Sequence, residues 1–579
     1  DTGFAQGHTF LQLWQRWRED VSRPALLHYV GVLSLGEAAH LQATLHAPGS
    51  GELAQTLARH CFGLDPGFHR LLLEDGQLSL TLCVGELQTV LTQLDMLADT
   101  VLASPSAPVW DKWLWKALAR NCKRGTVALF QAGAMPEANL CSDAGFAMVP
   151  LTPQASNPQA VYNPRWEIRN SRRSSATSRT PGRCAVVGAG IAGASVARAL
   201  ALRGWQVEVV DAQPNAAGGA SGLPVGLVVP HHSADDSPRS RLSRAGTRLM
   251  LQHAGRLLQA GQDWRSGGVL ERNLEASELN AVEAEVLSQA SPSPSGWTEP
   301  MVFGDAPALW HPHAAWIKPA RLVAQWLDHA RIRFIGTTQV QVLERVDGQW
   351  LLRAADGTEI TRADTVVFAN AHGCAELLQR TAAALPADFA WEPDLLDKLQ
   401  ALQALHGTLS MGLCPESTSG TPGTVAPTFP VNGHGSLVWG LPTGPGPAWC
   451  TGSTFRNEAA NPAELPQEHA ANLKKLSVLL PGVASVLASQ FASAQVQAWQ
   501  GVRCVSHDRL PLVGPLEQGP APTLWMSAAM GARGLSFSAL CAELLVAEMH
   551  AEPLPLESRL ARALDSRRMR RRRQTAAQD

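Results

Sequence analysis

Apolar residues recur along this chain with two periods, and the changes between them mark out its elements. In "DTGFAQGHTFLQLWQRW" (1 to 17) Phe10, Leu13, Trp14 and Trp17 fall on one helical face behind a loop with glycines at 3 and 7. "WDKWLWKALARNC" (110 to 122) repeats the helical period, and "TVALFQ" (126 to 131) reads as a short strand. Residues 1–150 therefore predict an α/β domain. The pattern lapses over 151–182, "LTPQASNPQAVYNPRWEIRNSRRSSATSRTPG", whose Pro, Ser, Asn and Arg content predicts a basic linker. It resumes at 183 and runs to 562 as a larger α/β or α+β domain, leaving 563–579 as a basic tail. No internal repeat is visible. No run approaches the roughly 18 apolar residues of a membrane span, so a soluble protein with no membrane partner is expected.

The densest pattern is "CAVVGAGIAGASVARALALRGWQVEVVDA" (184 to 212). Ala185 to Val187 predict a buried strand, an apolar helix follows to Leu202, Gly204 ends it, and "WQVEVV" predicts a second strand finishing at Asp211. Gly188, Gly190 and Gly193 suit a tight turn, close approach to a pyrophosphate, and helix-to-strand packing. Asp211 then stands where a carboxylate can accept hydrogen bonds from ribose hydroxyls. A glycine-rich packing turn would leave Asp211 unexplained. Two further features favour FAD over NAD. "GGASGLPVGLVVP" (218 to 230), with Ser221 and Gly222, adds a small-residue loop, and "DTVVFANAHG" (364 to 373) is a strand entering another. Near the end, "LWMSAAMGARGLSFSALCAELLVAEM" (524 to 549) predicts a strand, a turn at Gly531 and Gly534, and a helix. The amides at that helix N-terminus suit an electron-rich flavin edge.

Composition adds bounds. At roughly 150 residues per domain, 579 residues predict two to four domains. Ten scattered cysteines, with no Cys-x-x-Cys pair and no His cluster at zinc-ligand spacing, predict free thiols in a reducing cytoplasm and no metal. The opening residues show no basic segment followed by an apolar one, so no secretory signal is expected. The net charge of −2 conceals basic blocks at Arg165, Arg169, Arg172, Arg173, Arg179 and Arg183, and in "RRMRRRR" (567 to 573). Such blocks suit phosphate backbones, and equally a solvated linker and tail.

These segments together resemble the D-amino-acid-oxidase-like FAD oxidoreductases. "GVRCVSHDRLPLVGPL" (501 to 516), "MGARGLSFSALCAELLVAEM" (530 to 549) and "GASGLPVGLVVP" (219 to 230) are similar to segments of the bifunctional MnmC family, which modifies the tRNA wobble uridine. The resemblance implies a truncated Rossmann-like methyltransferase domain followed by an FAD-binding domain with an inserted substrate domain. It implies FAD-dependent removal of the carboxymethyl group from 5-carboxymethylaminomethyl-2-thiouridine in tRNA, then S-adenosylmethionine-dependent methylation of the aminomethyl product. Arg503 is the candidate clamp for the substrate carboxylate, since a guanidinium binds carboxylate bidentately; a structural pair with Asp508 is the alternative. Arg533 is a second, weaker candidate. Two other functions stay open: an FAD oxidase of a small N-substituted glycine with no RNA partner, and a tRNA-binding scaffold without catalysis.

Against the family's Glu-x-Gly-Phe-Gly-x-Gly loop, "DTGFAQG" keeps Asp1, Gly3 and Gly7 but has Ala5 for the middle glycine, and its first strands are missing. The acid that would hold the adenosine ribose is Leu33. The family's Asp-Gly-Phe-x-Pro motif falls on "SPSAP" (104 to 108), where only Pro108 matches. The expectation is a weakened or inactive methyltransferase domain in which S-adenosylmethionine binding is doubtful.

Overall fold

The computed structural model describes residues 1–104, 110–131, 137–149, 158–166, 180–233, 235–272, 296–304, 306–386, 388–392, 395–415, 426–493 and 495–568. The chain forms two compact units. One comprises Asp1–Thr180, Gly519–Ala521 and Glu543–Ala563, and the other Pro181–Gln518, Pro522–Ala542 and Leu564–Asp579. The boundary between 542 and 543 falls inside the helix Gly534–His550.

The first unit is built on two sheets. In the three-stranded sheet, Leu78–Val84 lies at the centre, parallel to Leu27–Leu33 and antiparallel to Gly67–Leu73. All seven residues of that central strand are buried, as a strand covered on both faces requires. The helix His8–Glu19 buries Phe10, Trp14 and Trp17, the face its periodicity predicts. Gly7 starts it at φ 78°, a left-handed conformation that glycine adopts without steric cost. The Phe10 ring packs edge-on against Tyr29 with centroids 5.0 Å apart. The helix Lys112–Ala119 begins at Asp111, whose Oδ1 accepts hydrogen bonds from the Trp113 and Leu114 amides.

The second sheet of this unit has the order Ala98–Ala103, Cys122–Phe130, Gln159–Tyr162, Phe146–Val149. Residues 159–162, placed by composition in the linker, are thus an ordered strand, antiparallel to both neighbours, with Ala160 and Tyr162 buried. A run of four residues is too short for its alternation to stand out from the Pro- and Asn-rich flanks. Of the linker arginines, 169, 172, 173 and 179 lie outside the described residues.

The larger unit has a six-stranded sheet in the order Ile332–Ile335, Gln206–Val210, Arg183–Val187, Thr365–Phe368, Leu524–Ala528, Leu512–Pro515. All pairings are parallel except the last. The inner strands Arg183–Val187, Thr365–Phe368 and Leu524–Ala528 are almost wholly buried, as strands covered on both faces require, whereas Gln206–Val210 and Ile332–Ile335 keep exposed positions. An eight-stranded sheet, from Glu299–Phe303 at one edge to Gln497–Val505 at the other, comes from chain lying between 210 and 512. This is a doubly wound α/β sheet carrying an inserted, largely antiparallel sheet, the architecture the resemblance implies. Among the described residues no disulfide joins the cysteines. Among the described residues no helix is long and apolar enough to cross a membrane. No group of three or more His, Cys, Asp or Glu that could hold a metal ion occurs among them either.

Candidate active site

Chain crossings place the site at the carboxyl ends of the parallel strands, where open α/β sheets leave a crevice. Strand Arg183–Val187 ends at Gly188, whose N–H donates to Val210 O at 2.8 Å. Its φ of 106° and its contact, where a Cβ would stand 2.6 Å from Ala369 O, admit glycine alone without rearrangement. Gly190 opens the helix Ile191–Leu202 with no side-chain cap. The Ile191 N–H instead donates to Ser221 Oγ at 2.8 Å. Asp211 Oδ2 accepts from the Ala189 N–H at 2.6 Å and Oδ1 from the Gln213 N–H at 2.8 Å, so this carboxylate fixes the glycine loop. A carboxylate has about four lone-pair sites, which leaves capacity for a ribose hydroxyl.

A cavity of about 650 Å³ collects most of the predicted positions: Gly188, Gly190, Asp211, Ser221, Arg503, Gly531 and Gly534 all line it. Three do not. Gly193 lies beneath the loop, where a Cβ would collide with Gly188 O. A Cβ on Gly222 would come 2.8 Å from Ala217 O, so this glycine shapes the turn behind Ser221. Arg533 donates from Nη1 to Val229 O at 3.2 Å. It therefore serves the loop 218–230 and not the cavity wall. Gly3 and Gly7 belong to the other unit.

Arg503 sits on the strand Gln497–Val505. Nη2 donates to Ser453 Oγ at 2.8 Å, while Nη1 is buried without a hydrogen-bond partner among the described residues. Its Cζ lies 4.8 Å from the centroid of the Phe455 ring. Gly407 makes room for it, since a Cβ there would strike Nη1. Burial pulls the guanidinium below its ordinary pKa. The alternative pair with Asp508 does not form. Asp508 binds Arg568, with Oδ2 to Nε and Oδ1 to Nη2 both at 2.9 Å. Arg567 in turn holds Asp565, with Nη2 to Oδ2 at 2.6 Å. The first two arginines of the basic tail are therefore structural, and 569–579 lie outside the described residues.

Sequence reasoning missed several neighbours. Thr338, Gln339 and Val340 line the cavity, carried there by the Thr338 N–H donating to Asp211 O at 2.9 Å. No motif marks them. It also missed a polar cluster around Glu271, which accepts from His311 Nε2 at 2.8 Å. Burial pushes the Glu271 carboxyl upward, but His311 and Arg533 hold it below its ordinary value. His231 is pushed down by burial first and by Arg533 next.

For S-adenosylmethionine the first unit fits poorly. Asp1 Oδ1 accepts from the Gly3 N–H at 3.1 Å and Oδ2 from Tyr29 Oη at 2.6 Å, so its carboxylate braces the loop. Ala5 is forced to φ 48°. Leu33 is fully buried and offers no acceptor. Ser104 is also buried, and 105–108 lie outside the described residues.

The family described as DAO, FAD dependent oxidoreductase, matches residues 183–548. The chain is 42% identical over 594 residues to the tRNA 5-methylaminomethyl-2-thiouridine biosynthesis bifunctional protein MnmC of Albidiferax ferrireducens, covering 98% of this chain and 92% of that one. It is 42% identical over 586 residues to the protein of the same name from Polaromonas naphthalenivorans, covering 97% and 89%. Among solved structures, glycine oxidase from Geobacillus kaustophilus aligns with a TM-score of 0.48 and 18% identity, over 64% of this chain and 95% of that one.

Proposed function

Because the chain belongs to the MnmC family, and its larger unit to the FAD-dependent oxidoreductases, we propose that it oxidises the carboxymethylamino substituent of a tRNA wobble uridine. The division of labour proposed is an oxidoreductase domain over 183–562 and a methyltransferase-like domain over 1–150, working in the cytoplasm. The observation that carries the substrate class is Arg503, a residue of the strand that lines the dinucleotide cavity, whose buried Nη1 has no hydrogen-bond partner among the described residues. A buried donor without a partner costs about 1–3 kcal/mol, more when charged, and a substrate carboxylate removes that cost.

The cradle fits FAD. Gly188 and Gly190 let backbone approach a pyrophosphate at a helix N-terminus whose first N–H rests on Ser221 Oγ, and Asp211 has acceptor capacity for a ribose. Bound FAD supplies the two-electron acceptor that dehydrogenates a carboxymethylamine to an imine, which water splits into glyoxylate and a primary amine. The protein's part is orientation. Arg503 holds the carboxylate, Ser453 Oγ fixes the guanidinium plane, and Gly407 leaves it space. The amides of Gly531 to Leu535 begin a helix whose N-terminal dipole favours negative charge in the cavity. No methyl-transfer step is assigned to the first unit, since Leu33 and Ser104 stand where acids are needed.

Anaerobic mixing with tRNA carrying the carboxymethylaminomethyl group should bleach the flavin absorbance and release glyoxylate. Bleaching by a free N-substituted glycine alone, with tRNA inert, would turn the assignment to a small-molecule oxidase.

A further inference from the structure

Resting on that substrate reading, we propose that Phe455 is the platform on which the modified uracil stacks while its substituent reaches Arg503. Phe455 follows the strand Gly446–Gly452 and is 58% exposed, an aromatic ring open to solvent beside the guanidinium of Arg503. Its loop is anchored on both sides. The Thr454 N–H donates to Thr408 O at 3.2 Å, Arg456 and His406 exchange backbone hydrogen bonds at 2.9 and 2.8 Å, and Arg456 Nη2 pairs with Glu464 at 2.9 Å. An exposed ring on so fixed a loop is presented, not merely left over.

Its surroundings suit a nucleotide. Arg503 Cζ lies 4.8 Å and Lys475 Nζ 5.6 Å from the ring centroid. Lys475, on the helix Leu465–Leu479, donates to Ser453 O at 2.8 Å and keeps two of its three donors for an anion. From uracil C5 to the carboxylate carbon there are four bonds of about 1.5 Å, an extended reach of roughly 5 Å. Arg503 Cζ is 4.8 Å from the Phe455 ring itself, so the stacked base lies offset toward Arg503 for its carboxylate to arrive. A base lying on Phe455 thus delivers its carboxylate to Arg503, with Lys475 available to a backbone phosphate. A free N-substituted glycine would need Arg503 only, so the platform is what selects a substrate borne on RNA.

The test uses the full-length flavin-loaded enzyme and an anticodon stem-loop RNA carrying 5-carboxymethylaminomethyl-2-thiouridine. Phe455→Ala and Phe455→Leu should raise KM for this RNA about 5- to 100-fold, the range of one base-aromatic stack, and Phe455→Trp should restore it. A neutral stack releases no counterion. The slope of log affinity against log salt should therefore stay at the wild-type value in Phe455→Ala and fall by about 0.7 in Lys475→Met. Flavin content checks folding of each variant. RNA that bleaches wild-type flavin but shows the same KM with Phe455→Ala or Phe455→Leu overturns the platform alone. Recovery by Leu as well as Trp would make the ring an apolar cover and also overturn it. RNA that never bleaches wild-type flavin overturns the substrate reading, and the platform with it.

Discussion

Gly188 and Arg503 show how differently single residues announce themselves. Gly188 is legible from sequence because its requirement is steric and local: a left-handed φ of 106° with backbone crowding where a Cβ would be. Gly188→Ala should therefore leave a protein that purifies largely colourless. The ratio of flavin to protein absorbance measures this, with a thermal melt to show that the domain still folds. Arg503 is legible only by family resemblance, because nothing around it in the chain says which acid or cavity it meets. Arg503→Ala should lower kcat/KM on the tRNA substrate by about 30- to 3,000-fold, the equivalent of losing about 2–5 kcal/mol at a buried charge contact. Arg503→Lys keeps charge but not the planar fork, and should fall between. Wild-type kcat/KM in Arg503→Ala would remove this residue from the site.

At the scale of elements, the strand and tail assignments changed once partners were known. Gln159–Tyr162 became a strand because two neighbours satisfy its backbone groups, which composition cannot register. Arg567 and Arg568 read as the start of a basic run open to phosphate or to solvent, yet Arg568 closes on Asp508 and Ser566 Oγ donates to Pro515 O at 2.8 Å. Removing 566–579 should thus cost about 1–2 kcal/mol of stability beyond the effect of removing 569–579, discounted for the partly open Asp508. Chemical denaturation of the two truncations compares them directly. Burial tends to raise the Asp508 carboxyl, but Arg568, the Leu510 amide and Ser506 together hold it below its ordinary value. A depressed folded-state pKa stabilises above the unfolded value, and that stability is lost as pH falls from about 4 toward the folded value. The difference between wild type and Asp508→Asn in denaturation midpoint should therefore shrink on acidification through that window. A constant difference would show that charge plays no part.

For the molecule as a whole, the two units differ in how well their nucleotide sites are equipped. The larger keeps every piece of its cradle, and the smaller keeps a glycine loop whose acid, Asp1, is engaged by Gly3 and Tyr29. Two missing acceptors, each worth about 1–3 kcal/mol, should weaken S-adenosylmethionine by orders of magnitude. Calorimetry should show no micromolar binding. Micromolar affinity together with methyl transfer to aminomethyl-bearing tRNA would show that other groups have replaced Leu33 and Ser104.

By itself the sequence determined what depends on neighbours in the chain. The strand, glycine turn, helix and strand ending at Asp211 follow from short-range sterics and periodicity, and so does the buried face of His8–Glu19. Only the tertiary structure decided which distant groups meet. It gave Asp508 to Arg568, turned Arg533 toward Val229 O, brought Thr338 to Asp211, and set Arg503 on Ser453 Oγ beside Phe455. Those outcomes depend on chain crossings between strands far apart in sequence, and pairing energies there are settled by geometry and desolvation, neither of which has a period that can be read along the chain.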